Sequence, residues 1–263
     1  MKGDTEASLI YGAYPALVYA APVLGGRLAD RLLGYRIAVL LGAVLMAIGE
    51  FLILGGNDAF LYLGMGTIIV GYGYFKANIS SIVGKLYRDD DPRKDSGFTI
   101  FYIGINIGAF LSTIVCAEVG EKYGYEYGFG LAGIGMIFGL LFFAFGDQII
   151  KMLGGNESLK KYASPPDEKK LNEPFLGPLS RFHVTILGSI AVIPMLFFLI
   201  SNSEFVGYLL IAAAVYVAYS LLGRGFSEGN VTRDRIIALL IMMCFNFVFW
   251  ACFEQAGSSL TLF

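Results

Sequence analysis

The chain has 263 residues, of which 56% are hydrophobic and 15% are charged. Its mean hydropathy of +0.67 indicates more apolar surface than one soluble core can enclose, so lipid is the expected solvent for most of it. The net charge of −2 at pH 7 provides no basic surface for nucleic acid. Three cysteines lie in apolar stretches without CxxC spacing, which argues against a disulfide framework or a zinc site.

Apolar runs of about 20 residues predict about eight membrane-spanning helices. We expect an all-α polytopic membrane protein, because a helix is the only open-chain structure that satisfies its own backbone in hydrocarbon. Glycine pairs at four-residue spacing, Gly104 with Gly108 and Gly135 with Gly139, predict close helix packing. The predicted spans are 7–24, 37–55, 60–83, 97–117, 127–146, 183–201, 205–222 and 236–263.

The loops between these spans differ in charge, and this difference predicts their orientation. One face carries 16 of the 19 basic residues, so the positive-inside rule places that face in the cytoplasm. Both chain ends are then expected outside. An external N-terminus with no preceding span is unusual, so we expect that an upstream helix is missing. The opposite loops carry Asn57, Asp58, Glu118, Glu121, Lys122, Glu126, Asn202 and Glu204.

Segment 147–182 is the one long polar stretch and predicts a cytoplasmic linker, in which Pro165 and Pro166 forbid a continuous helix. The two spans that follow it are almost purely aliphatic and aromatic. They are therefore expected to form an inserted, lipid-facing hairpin at 183–226.

The first motif is the run GGRLADR from Gly25 to Arg31, which predicts a tight loop after the first span. Asp30 is expected to accept hydrogen bonds from helix N-terminal amides or from an arginine of a sliding neighbour. Together with Gly26 and Arg31 it is a candidate gating motif. The alternative is a solvated turn that obeys the positive-inside rule.

Two further motifs place polar groups within spans. Lys76, in GYGYFKANIS, is the only lysine embedded in a span, and the alternative to a functional role is snorkelling to the interface. Tyr102 and Asn106 are four residues apart and share a helical face. The Asn106 amide is expected to need partners from a cavity or a neighbouring helix. Plain helix-to-helix hydrogen bonding is the alternative for Asn106.

The last span contains a polar stripe, because Asn246, Trp250 and Glu254 recur every four residues. A carboxyl group at such a position either pairs with a cation or takes up a proton, and both suit a group that loads and releases protons. A purely structural ion pair is the alternative. By contrast, Glu50 and Glu118 lie near the outer ends of their spans and are expected to snorkel. Tyr14 is expected in an interfacial aromatic belt.

These motifs resemble the proton-dependent oligopeptide transporter (POT/PTR) family of the major facilitator superfamily. The resemblance rests on FYIGINIG at 101–108, FWACFEQAGSSL at 249–260, GYGYFKANIS at 71–80 and the GGRLADR run, in that family's order. It implies a 6+6 helical architecture with alternating access. The family's ExxERFxYY helix and its second bundle are absent, so the resemblance implies an N-terminal-half fragment that lacks both.

The resemblance also implies roles for single residues in the symport of di- and tripeptides into the cell with protons. Lys76 would attract the peptide carboxylate, Asn106 and Tyr19 would hydrogen-bond its backbone, and Trp250 would shape a side-chain pocket. Glu254 would carry the proton, with Lys76 part of the coupling. Protons are the only coupling species expected, without a cofactor. The fragment alone is expected to be inactive, since Lys76 lacks its family counter-ion.

The expected home is a bacterial inner membrane, with a monomer as the intact form. The predicted domains are an N-terminal bundle at 1–146, the linker at 147–182, the hairpin at 183–226 and the first helix of the C-terminal bundle at 227–263. Alternatives are a carrier for nitrate or a drug-like anion, or a non-transporting truncated membrane protein. An enzyme is least expected, because the sequence shows no nucleophile–base pair, metal cluster or phosphate loop.

Overall fold

The structure, a computed structural model, describes residues 4–152 and 162–253. This part of the chain is almost entirely α-helical, which confirms the predicted all-α class. A two-stranded antiparallel ribbon, β1 (Pro174–Leu176) and β2 (Leu179–Ser180), interrupts the helices once. The helices are α1 (Asp4–Leu28), α2 (Tyr35–Ile53), α3 (Asp58–Lys85), α4 (Lys94–Tyr123), α5 (Tyr125–Ala144), α6 (Gly146–Met152), α7 (Glu168–Asn172), α8 (Arg181–Ser201), α9 (Ser203–Ser227) and α10 (Asn230–Phe253).

Within the described residues, seven helices are long and apolar enough to cross a membrane. Each of the eight predicted spans overlaps a helix. The last predicted span, 236–263, includes residues outside the described part of the chain. The predicted span 60–83 is α3, which is long enough but is not among the seven. Its apolar run is interrupted by polar residues that include Lys76 and Asn78. The seven are α2, α4, α5, α8, α9, α10 and the stretch Ala7–Leu33.

The chain divides into two compact units, which are described separately. The larger unit is Tyr14–Ser201, and the smaller one combines Met1–Ala13 with Asn202–Phe263. In the smaller unit α9 packs against α10, where a Cβ at Gly225 would lie 3.1 Å from the Cα of Arg233. No described residue of α10 is buried. The larger unit contains the helices that position Lys76.

In the larger unit, glycines let α2 and α3 approach at backbone distance. A Cβ built at Gly42 would lie 2.6 Å from the Gly71 carbonyl oxygen, and one at Gly71 would lie 2.7 Å from that of Gly42. Gly49 and Gly64 repeat this contact two turns along. Only glycine fits at both positions of such a pair, because no side-chain carbon can occupy that space.

The glycine pairs expected to pack helices are a wrong prediction. A Cβ at Gly104, Gly108, Gly135 or Gly139 would meet no described atom within 4 Å. Four-residue spacing shows that two glycines share a helical face, but it does not show which face a neighbouring helix covers. The glycines that pack lie instead on the α2–α3 and α1–α3 contacts.

The predicted loop at Gly25 is also wrong. Helix α1 continues through Leu28 into a π-helical turn, Ala29–Leu33, and the chain reverses only at Gly34. Gly34 has φ of +73° and donates its N–H to the Ala29 carbonyl at 2.9 Å, a conformation that glycine adopts without steric cost. Gly25 stays helical because it is buried against the Gly73 backbone of α3.

Helix α8 covers a third side of α3. The Tyr74 hydroxyl and the Ser189 hydroxyl form a buried hydrogen bond of 2.7 Å, and Tyr62 meets Phe197 edge to face at 5.8 Å. Gly66 lies under the α8 backbone, since a Cβ there would be 3.3 Å from the Ile193 carbonyl oxygen. Helix α3 is therefore fixed by α1, α2 and α8.

The predicted linker contributes to the core of the larger unit. Its chain breaks between Ser164 and Asp167, as the two prolines predict. Ala163 is fully buried in a cluster with Val39, and Leu171 is 4% exposed in a cluster with Leu33. The linker therefore packs against the Gly34 ends of α1 and α2, although its composition is mostly polar.

The loop from α3 to α4 is held by an ion pair. Arg93 donates from its backbone N–H, Nε and Nη2 to the Asp91 carboxylate at 2.9, 3.0 and 2.8 Å. These hydrogen bonds lower the pKa of Asp91 to about 2. The carboxylate therefore remains charged at neutral and mildly acidic pH, and the start of α4 keeps its anchor.

We expect Gly71→Ala to lower the melting temperature of the purified protein in detergent. The added methyl group must push α2 from α3, and overpacking costs about 1–3 kcal/mol. Gly104→Ala is the matched control, because its Cβ meets open space and alanine favours a helix by about 0.5–1 kcal/mol. Equal shifts for both variants would contradict the assigned glycine packing.

Candidate functional site

Lys76 is held by aromatic faces. Its Nζ lies 4.6 Å from the ring centroid of Tyr19 on α1 and 5.0 Å from that of Tyr72 on its own helix. None of the ion pairs among the described residues includes Lys76. Two ring faces stabilise the ammonium group without neutralising it.

The packing of α3 explains why Lys76 meets Tyr19. A Cβ at Gly73 would lie 2.9 Å from the Ala21 carbonyl oxygen, so α1 passes α3 closely within one turn of Lys76. Tyr74, two residues earlier, points to Ser189 of α8. Residues two apart in a helix point about 200° from one another, so Lys76 lies on the face away from α8.

The direction of the Lys76 side chain does not match snorkelling. Lys76 is nine residues from the Lys85 end of α3, about 13 Å along the helix. Its ammonium group lies beside Tyr72, one turn further from that end. A snorkelling lysine would extend toward the nearer end of the helix.

Asn106 has a different partner from the one predicted. Its Nδ2 donates to the Tyr102 carbonyl at 2.8 Å, one turn earlier in α4, so this donor is satisfied within its own helix. Both side chains are exposed within the described part of the chain. In a helix, the carbonyl of the residue four positions earlier is within reach of an asparagine side chain.

Lys76 and Asn106 are equally far along α3 and α4 from the contact that joins these two helices. Helices α3 and α4 meet where a Cβ at Gly84 would lie 3.4 Å from the Phe98 ring. Lys76 and Asn106 are each eight residues from this contact, about 12 Å along their helices. Both residues therefore lie about two turns from this contact, each on its own helix.

The candidate gating motif connects three helices at one end of the larger unit. Tyr35, at the start of α2, donates its hydroxyl to Asp30 Oδ1 at 2.8 Å, so the expected helix amide or arginine is not the partner shown. Lys85 at the end of α3 places its Nζ 4.5 Å from the Tyr35 ring centroid. Arg31 is exposed, and a Cβ at Gly26 would lie 3.9 Å from Ala77.

Trp250 belongs to the smaller unit. It is 45% exposed on α10 and meets Phe249 and Phe253 edge to face at 5.7 and 5.4 Å. Glu254, the predicted proton carrier, lies outside the described residues. Asn246, one turn before Trp250, is exposed.

The expectation that Glu50 snorkels is wrong. Its Oε2 is enclosed by protein and accepts no hydrogen bond from the described residues. Helix α5 covers it, since a Cβ at Gly133 would lie 3.1 Å from the Glu50 Cβ. Tyr14, expected in an interfacial belt, is within electrostatic range of Glu50 and Tyr72. The sequence feature that could have indicated this enclosure is Gly49, a glycine directly before Glu50 that packs against α3.

Arg36, counted in the sequence only as a loop charge, joins α2 to the end of α5. It donates from Nη2 to the Ala144 carbonyl at 3.1 Å and lies 3.9 Å from Asp147. A guanidinium group is well placed at a helix C-terminus, where carbonyls lack partners. Arg36 also borders a cavity of ≈ 340 Å³ with Ser164 and Phe182 of the linker region.

We expect the contact between Tyr19 and Lys76 to be visible by NMR. With lysines dimethylated by ¹³C-formaldehyde, ring currents should shift the Lys76 methyl signal upfield, and Tyr19→Leu should remove part of that shift while Tyr19→Phe keeps it. Tyr11→Leu, on the same helix, is the control, and Lys76→Arg assigns the signal. A Lys76 signal unchanged by Tyr19→Leu would contradict the geometry.

Comparison with known proteins gives the same family as the motifs. The model of the POT family (PTR2) matches residues 36–263. Dipeptide and tripeptide permease A of Escherichia coli (strain K12) is 31% identical over 262 residues, which are 99% of this chain and 49% of that protein. The chain therefore spans about half the length of the curated relatives it matches.

Solved structures of related proteins give the same family assignment. A bacterial homologue of the human drug peptide transporters PepT1 and PepT2 superposes with a TM-score of 0.79 at 26% identity, covering 99% of this chain and 55% of that one. A structure from work on substrate recognition in proton dependent oligopeptide transporters gives 0.77 at 26% identity, with 99% and 55% covered. Because the family match covers most of its residues, the chain belongs to the POT family of transporters.

Proposed function

We propose that the protein carrying this chain imports di- and tripeptides together with protons by alternating access. The relatives support this cargo, since their names are those of dipeptide and tripeptide permeases. A solved neighbour from work on proton dependent oligopeptide transporters supports the coupling ion. The protein lies in a bacterial inner membrane, with 147–182 on the cytoplasmic side and protons as the coupling species.

The ammonium group of Lys76, held by ring faces alone among the described residues, is the observation that carries the proposal. Cation–π contacts contribute about 0.5–2 kcal/mol each. Hydrogen bonds between ionised partners are roughly twice as strong as neutral ones. A peptide carboxylate can therefore displace a ring face and gain an ion pair that Lys76 does not form with any described residue.

The other predicted site residues receive separate roles in the same transport cycle. Tyr19 lies beside Lys76, so its hydroxyl can hydrogen-bond the peptide backbone next to the carboxylate. Asn106 of α4 contributes a second backbone contact. Trp250 shapes a side-chain pocket. Glu254 is protonated from outside and deprotonated inside, which is driven by about 2.3 kcal/mol per charge for each 100 mV.

The link from Asp30 through Tyr35 to Lys85 serves as the gate of this cycle. It joins the π-helical turn after α1 to α2 and α3 by one hydrogen bond and one cation–ring contact. Both contacts are exposed or partly exposed and individually weak, so they can break and re-form as bundles rock. Gly26 and Arg31 complete this motif.

We expect Lys76→Ala to raise the apparent dissociation constant for dialanine roughly 10- to 100-fold, because a hydrogen bond to a charged group contributes about 1.5–3 kcal/mol. The measurement is proton-driven uptake into vesicles that contain the protein at its full encoded length. Lys122→Ala, which removes an exposed ion pair with Glu118, is the control.

Dialaninamide, whose carboxylate is blocked, provides the chemical counterpart. It should bind weakly to the unaltered protein, and its affinity should not change in Lys76→Ala. An equal loss of dialanine and dialaninamide in the variant would contradict a carboxylate-binding role. Saturable uptake of nitrate without uptake of dialanine would exclude the peptide cargo.

Glu254→Gln should abolish proton-driven accumulation while peptide counterflow continues, since the amide cannot carry a proton. The measurement compares concentrative uptake with exchange in the same vesicles. Glu118→Gln is the matched control, a second carboxyl group toward the end of a helix. Accumulation that survives Glu254→Gln would refute the coupling role.

A further inference from the structure

Glu50 is a carboxyl group in the interior of the larger unit that the proposed function does not use. It lies one turn before the Ile53 end of α2. Its neighbour Gly49 is pressed against α3, where a Cβ would lie 2.8 Å from the Gly64 carbonyl oxygen. This contact fixes the rotation of α2, so Glu50 cannot leave the bundle by turning the helix.

The surroundings of Glu50 do not accommodate a permanent negative charge. Its Oε2 has no exposed surface and no hydrogen-bond donor among the described residues. A carboxylate oxygen deprived of both water and donors is costly, whereas the protonated carboxyl loses much less.

A titratable neighbour of Glu50 comes from α1. Tyr14 of α1 interacts electrostatically with both Glu50 and Tyr72 of α3. Helix α5 presents Gly133 at the contact, and its titratable residues lie in its first turn, two turns away. None of the ion pairs among the described residues includes Glu50. Tyr72, which interacts with Tyr14, also carries the Lys76 Nζ on its ring face at 5.0 Å.

We propose that Glu50 is a second proton-binding residue of this transporter, which takes H⁺ from external water and responds electrostatically to Lys76 through Tyr14 and Tyr72. The inference rests on the proposed function for its role in transport, but not for its proton binding. When Glu50 is ionised, its charge attracts the Lys76 ammonium group. When Glu50 is protonated, this attraction is lost and Lys76 is free to bind a carboxylate.

The coupling is reciprocal by thermodynamic linkage. Protonation of Glu50 strengthens binding of a peptide carboxylate at Lys76. Bound peptide must therefore change the proton affinity of Glu50 by the same factor. A peptide carboxylate neutralises Lys76, which removes the attraction that favoured ionised Glu50. Bound peptide therefore favours the protonated form.

Infrared spectroscopy tests the proton binding without requiring transport. The protein at its full encoded length, in lipid vesicles, is titrated from alkaline to acidic pH while the carbonyl stretch of protonated carboxyl groups is recorded. A band that appears on acidification should be absent in Glu50→Gln and retained in Glu118→Gln, whose carboxylate is exposed and paired with Lys122 at 2.6 Å. Adding dialanine should move the titration of this band to higher pH.

Peptide binding gives the second readout. The affinity for dialanine should rise about 5-fold or more on acidification, within the usual range of coupling energies, and Glu50→Gln should remove that part of the pH dependence. Tyr14→Phe should shift the midpoint of the infrared band, and it keeps the test decisive if Glu50→Gln does not fold.

The outcomes separate the two proposals. An infrared band assigned to Glu50 with no peptide transport would support proton binding and contradict the proposed function. Transport with no Glu50 band, or with a band that does not change across the titration, would overturn the inference and leave the proposed function intact.

Discussion

The close backbone approach of neighbouring helices to α3 is the constraint on which the site depends. Gly42 and Gly71, and Gly49 and Gly64, are reciprocal contacts in which neither helix has room for a side chain. Such contacts fix both the distance and the rotation of two helices. With α1 packed at Gly73 as well, the direction in which Lys76 leaves α3 is settled.

That direction determines the electrostatics of the site. Lys76 extends toward Tyr19 and Tyr72 rather than toward the end of its helix. An ammonium group on ring faces is stabilised enough to remain in place, yet it keeps its charge for an anionic partner. The same helix is anchored on its other side by the buried hydrogen bond between Tyr74 and Ser189, which ties α8 to the helix that carries Lys76.

Two carboxyl groups that look alike in the sequence have different surroundings in the structure. Glu118 is exposed and pairs with Lys122 four residues later in the same helix. Glu50 is enclosed by α5, with Tyr14 as a polar neighbour. Exposed ion pairs contribute little, whereas an enclosed carboxyl responds strongly to nearby charge. The difference arises from what each helix packs against.

The amino-acid sequence by itself determined the membrane class, the helices that carry the spans, and the family, because hydropathy over about 20 residues and ordered motifs are local properties. It also identified Lys76, Asn106 and Tyr19 as residues of interest. Which glycines pack, where α1 ends, which atom Asn106 and Asp30 contact, and that Glu50 is enclosed were decided only by tertiary structure. Each depends on which face of a helix a neighbour covers, and periodicity alone does not contain that information.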